Sequence, residues 1–248
     1  MKKTGFSLVE LSIVLTVIGL LAGGIVTGKK MLENARLQNL ASQLLQRHKA
    51  ISEFKLFYHA LPGDFDNAKS FWSGCSDETG NDCNGDGDGR IERDYENIRV
   101  FQHMDFAGIT NTGMTGLKGA STDYEAGVNL PNSGWGSSVI AINYNVNSQY
   151  GTYQNAIRIS SIPGCDDTEN RGALSSLQSR KIDKKLDDGI AHSGVVMSYK
   201  GRSTYGDCNI YHTGCVNNDP TNATSGGYKL DDPEAACVIS YGFEHQDG

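Results

Sequence analysis

The chain has 248 residues, six cysteines and a formal net charge of -7 at pH 7. That length is enough to bury a core unaided. The acidic balance excludes a strong nonspecific grip on nucleic acid, which needs clustered Lys and Arg to displace counterions.

From Phe6 to Gly28 the only ionisable side chain is Glu10, and Lys2 and Lys3 stand in front of it. About 20 apolar residues cross a bilayer as a helix, and flanking positive charge marks the cytoplasmic side. Residues 6–28 therefore read as a transmembrane helix whose following domain is exported. Glu10 is the anomaly, since an acid inside such a helix costs roughly 2.5 to 3.5 kcal/mol on insertion scales.

Beyond Gly28, Leu37, Leu40, Leu44, Ile51, Phe54 and Tyr58 recur at helical spacing among charged residues, which predicts an amphipathic continuation over 29–61. "LPGD" at 61–64 stops it. A continuous helix from Phe6 to about Ala60 is about 80 Å long. Residues 62–248 read as a globular domain. Helices are expected at 64–72 (capped by Asp64), 96–108 and 173–189, and strands at 138–146, 155–160, 194–199 and 237–243, paired as antiparallel hairpins. Arg180, Lys181, Lys184 and Lys185 are interleaved with Asp183, Asp187 and Asp188, the pattern of a solvated helix face.

Cys75, Cys83, Cys165, Cys208, Cys215 and Cys237 all follow the apolar stretch, with no C-x-x-C pair. This disfavours zinc and points to disulfides in an oxidising compartment. Fifteen pairings are open. Proximity favours Cys75 with Cys83 and Cys208 with Cys215, leaving Cys165 for Cys237.

"KKTGFSLVEL" at 2–11 resembles the type IV pilin family and its relatives, the pseudopilins of type II secretion and competence systems. The resemblance covers about the first 30 residues. It implies a leader, residues 1–5, removed by prepilin peptidase between Gly5 and Phe6, and methylation of the new Phe6 amine. It also implies a pairing of Glu10 with the amine of a neighbouring subunit, which compensates the buried acid and sets the register between subunits. The sequence departs from many pilins in having Thr27 where they carry a helix proline. Gly23, Gly24 and Gly28 offer similar softness. A signal peptide cut after "LLAGG" would have too long an apolar region and an acid within it, and a plain anchor explains the hydrophobicity but not the spacing of Gly5, Phe6 and Glu10.

A second motif, "CNGDGDGRIE" at 83–92, resembles the front half of an EF-hand or dockerin calcium loop. Asn84, Asp86 and Asp88 alternate as oxygen donors, Gly89 makes the turn, Arg90 offers its carbonyl and Ile91 anchors the loop. The position of the closing acid holds Tyr95, so Asp94 or Glu96 is expected to close the site, with Asp82 beside it. The opposing reading is an acidic surface turn without metal.

No G-x-S-x-G, H-E-x-x-H or G-x-x-x-x-G-K-[ST] pattern occurs, and the six histidines are scattered, which argues against an enzyme. The expected protein is an α+β, pilin-like chain, its long N-terminal helix packed on a small antiparallel sheet with disulfide-braced loops. It would be anchored in the inner membrane before assembly with other pilin subunits into a pilus or pseudopilus. The alternative is a calcium-stabilised binding module at a filament tip.

Overall fold

The computed structural model describes residues 7–76, 82–93, 95–118, 124–147, 152–162, 171–201, 214–217 and 227–245. The chain divides into two units, Met1–Asn39 and Leu40–Gly248. Helix α1, Leu8–Tyr58, supplies the described part of the first unit and the opening of the second.

From Leu8 to Leu32 the apolar side chains have no protein cover. Leu8 is 88% exposed and Leu20 73%, in a window of mean hydropathy 2.3 with none of it buried. The three hydroxyl side chains between Leu8 and Gly28 turn back on their own helix: Ser12 donates to Val9 O, Thr16 to Ser12 O and Thr27 to Gly23 O. Their hydrogen bonding needs no water, which is what a hydrocarbon surrounding demands.

In the second unit the 40–58 part of α1 buries a stripe of Leu40, Leu44, Ile51 and Phe54. α1 ends when His59 adopts a left-handed φ of 54° and donates its N–H to Lys55 O, a common helix stop. α2 (Ala68–Phe71) and α3 (Glu96–Phe106) follow. Phe54 meets Phe65, Trp72 and the His103 ring at centroid distances of 6.2, 6.1 and 6.3 Å. On the same helix, His48 lies 5.4 Å from the ring of Tyr241 and 6.1 Å from that of Phe243, which docks it on the sheet.

The sheet has four antiparallel strands, β1 (Ser138–Asn147), β2 (Thr152–Ser161), β3 (Val196–Lys200) and β4 (Cys237–His245), in the order β1-β2-β4-β3. Ile140 and Ile142 face Ile159 and Ile157 across β1 and β2, and Ile159 faces Ile239 of β4. All five are fully buried, and such cross-strand β-branched pairs are what stabilises a sheet. α3 packs by β1, and α4 (Ser176–Leu186) by β3 and β4. The fold is α+β: the second half of a long N-terminal helix, residues 40–58, packs on a small antiparallel sheet.

Two expected helices begin later than the sequence suggests. Over 64–72 only Ala68–Phe71 is helical, because the Asp64 carboxylate caps nothing there and instead accepts the Gly89 N–H. Over 173–189 the helix starts at Ser176, because Leu174 pairs with Cys237 in the sheet margin. Ser175 and Gln178 then close a reciprocal capping box.

The disulfides correct one part of the expected pairing. Cys75 bonds Cys83, but Cys215 bonds Cys237, so Cys208–Cys215 and Cys165–Cys237 are both replaced. Proximity in sequence failed because the edge of β4 brings Cys237 to Cys215, whose neighbour Val216 bridges Tyr228. Cys165 and Cys208 lie outside the described residues. By loop entropy the Cys75–Cys83 link contributes about 2.6 kcal/mol and Cys215–Cys237 about 3.4 kcal/mol. Non-reducing peptide mapping of the purified protein is expected to recover the Cys215–Cys237 peptide pair. A Cys208–Cys215 pair in its place would overturn this connectivity.

Candidate functional site

At the start of α1, Glu10 Oε2 accepts the Ser7 N–H at 2.8 Å and Ser7 Oγ accepts the Glu10 N–H at 3.2 Å. Serine and glutamate three apart, each satisfying the other's backbone donor, form a capping box. The carboxylate therefore has a partner within its own chain at the first turn of α1, where the helix dipole also favours negative charge. Gly5 and Phe6 lie outside the described residues.

The acidic loop is held from several sides. Asn155, on β2, accepts the Ile91 N–H and donates to Gly89 O, both at 3.0 Å. Ile91 is fully buried, as the anchor role requires. Gly85 lies so close to the 63–65 turn that an added Cβ would sit 2.3 Å from the Asp64 carbonyl carbon, so only glycine fits there. The Gly85 and Gly87 N–H groups donate to Phe65 O and Asp64 O.

The expected calcium ligands are used unequally. Asn84 Oδ1 accepts the Lys69 N–H at 2.9 Å, satisfying a donor of the first turn of α2, and so ties the loop to that helix. Asp86 and Asp88 carry exposed carboxylates, and the Oδ1 atom of each accepts the N–H two residues on. The Arg90 guanidinium lies 5.0 Å above the Tyr144 ring. Glu96 is buried, and its two oxygens accept the Asp86 and Glu92 N–H groups, so it clasps both ends of the loop. Burial raises its pKa, against the pull of those two donors. Asp94 lies outside the described residues, and Asp82 accepts the Asn84 N–H.

Asp64 joins this group from outside the motif. It is 3% exposed, its Oδ2 accepts the Gly89 N–H at 3.0 Å, and its Oδ1 has no hydrogen-bond partner. Burial, with Asp88 and Asp86 nearby, pushes its carboxyl up to about 6. Carboxylate oxygens of Asp64, Asp86 and Asp88 lie within 4.8 Å of one another. Cys75, Cys83 and His103 also cluster, but the two sulfurs bond each other and both imidazole nitrogens are engaged.

Residues 1–26 match the family described as the prokaryotic N-terminal methylation motif. This is the prepilin-type signal of type IV pilins and pseudopilins. It marks structural pilin-type proteins. No curated protein and no solved structure matches the chain, so the motif speaks for the N-terminal helix, and the acidic loop is read from its own geometry. Two features have no counterpart among the site residues expected from the sequence. For the Ser7–Glu10 capping box the sequence signal is the S-x-x-E spacing itself, at the entry to the apolar run. Asp64 gave no signal, because its role depends on a turn folding against a loop twenty residues on.

His103 connects these segments. The fully buried imidazole accepts the Gly63 N–H on Nδ1 and, in the tautomer this fixes, donates from Nε2 to Cys83 O, both at 2.9 Å. Burial lowers its pKa to about 4, and the charge of Arg99 adds to the effect. His103→Phe keeps the ring stacking but strands a buried donor and a buried acceptor, and is expected to cost on the order of 2–5 kcal/mol at pH 7. The unfolded histidine titrates near 6.5 and the folded one near 4. Its contribution is therefore whole above 6.5 and is lost as pH falls through 4, by about 3 kcal/mol. The stability gap between wild type and variant, measured by urea denaturation of the full chain in detergent, should narrow from pH 7 to pH 4.

Proposed function

We propose that the protein is a structural subunit of a type IV pilus or of a related secretion or competence filament, as a major or minor pilin or a pseudopilin. The observation that carries this reading is the methylation motif at residues 1–26, on a helix whose apolar face no part of its own unit covers. Before assembly that face is covered by the inner membrane, with the globular domain on the periplasmic side. After assembly it is covered by the helices of other pilin subunits.

Cleavage by prepilin peptidase between Gly5 and Phe6 leaves a positive amine one residue before the capping Ser7. In the free subunit Glu10 is satisfied by its own helix end. In the filament the methylated Phe6 amine of a neighbour replaces or joins that partner and sets the axial register. Stranding one member of such a pair away from water costs about 3–5 kcal/mol.

Mass spectrometry of the mature protein should show a start at Phe6 with a methylated amine. Glu10→Val should insert into the membrane at least as readily as wild type. In competition with wild type it should enter sheared filaments at least tenfold less. Equal incorporation, or a mature start elsewhere, overturns the reading. High abundance in the sheared fraction marks a shaft subunit, and scarcity marks a tip module.

A further inference from the structure

The buried side chain of Asp64 is left incomplete by the hydrogen bonding around it. Its Oδ1 has no donor although the residue is 3% exposed, and it belongs to the same tight group of carboxylates as Asp86 and Asp88. Such an arrangement is unfavourable for three anions alone, since each repels the others and the innermost is removed from water. We propose that Asp64, Asp86 and Asp88 together hold one calcium ion, with Asp64 as the closing acid of the loop.

The geometry suits a single ion. Calcium takes oxygen ligands at about 2.3–2.6 Å, so donors on opposite sides of it stand up to about 5 Å apart. The three oxygens here fall within 4.8 Å of one another. Asp86 and Asp88 each commit Oδ1 to a backbone N–H, which orients the carboxylates and leaves their Oδ2 atoms for the ion. Asp88 Oδ2 lies 3.9 Å from the Arg90 guanidinium. Both aspartates are exposed, so the ion enters from solvent and water completes its shell. An all-oxygen, partly loop-borne donor set favours calcium over zinc, and over magnesium with its stricter octahedron. Glu96, with both oxygens given to backbone donors, acts as the clasp of the loop and is not a ligand.

The donor set differs from the one the loop motif suggests, and the difference is what an experiment reads. The full-length chain, purified in detergent micelles and stripped with EDTA, is titrated with calcium chloride by calorimetry, and its melting temperature is followed in EDTA, calcium and magnesium. Wild type should bind one calcium per chain, at least tenfold more tightly than magnesium, and its melting temperature should rise by several degrees. Asp64→Asn should bind at least tenfold more weakly and lose that rise. In EDTA it should melt no lower than wild type, since it lacks the unpaired charge.

If Asp64→Asn fails to fold, Asp86→Asn combined with Asp88→Asn, at the exposed rim, gives the same reading. A wild type indifferent to calcium, magnesium bound as tightly as calcium, or an undiminished calcium response in either set of variants overturns the proposal.

Discussion

The imidazole of His103 holds together segments that the sequence keeps far apart. One nitrogen receives the turn after α1, the other supports the carbonyl of Cys83 at the head of the acidic loop, and the ring lies against Phe54 of α1 and Trp72. Each of these groups is buried, or nearly so, and a neutral imidazole is one of few side chains able to serve a donor and an acceptor at once. The Cys75–Cys83 bond then closes the loop from its other side. The placement of Asp64 against Gly85, Gly87 and Gly89 follows from this junction.

The same junction creates the main electrostatic tension of the globular unit. Asp64 and Glu96 are both buried beside a loop that also carries Asp86 and Asp88. A buried carboxylate oxygen without a donor costs about 1–3 kcal/mol, more when ionised. Glu96 offsets its burial by taking two backbone donors, whereas Asp64 takes one for its side chain and leaves an oxygen over. That asymmetry between two acids separates a structural clasp from a position suited to a cation.

Most of the fold was legible because it is written in periodicity. The uninterrupted apolar run, the stripe Leu40, Leu44, Ile51 and Phe54, the helix ended by Gly108, and four alternating or β-branched runs each map onto α1, α3 and the four strands. The leader motif was legible because it is local. What depended on distant residues was not. Cys237 meets Cys215 only through the edge of the sheet, and Asp64 meets Asp86 only when the chain folds back. The hydrogen bond from the Lys69 N–H to Asn84 Oδ1, which ties the loop to α2, likewise had no local sign.

The sheet order places β4 between β2 and β3, although β4 follows both in the chain. If the chain is exported N-terminus first, as the proposed function requires, β2 and β3 share no neighbour until that segment arrives, and Cys215 waits for its partner sulfur. The β1–β2 hairpin can form as it emerges, but the sheet is completed only by the arrival of Cys237–His245. A subunit cut short before this segment would lose its central seam and one covalent closure together. On the proposed function, translocation order would thus act as a check on the sheet: only a chain whose β4 has been delivered could offer a filament a finished seam and the Cys215–Cys237 bond.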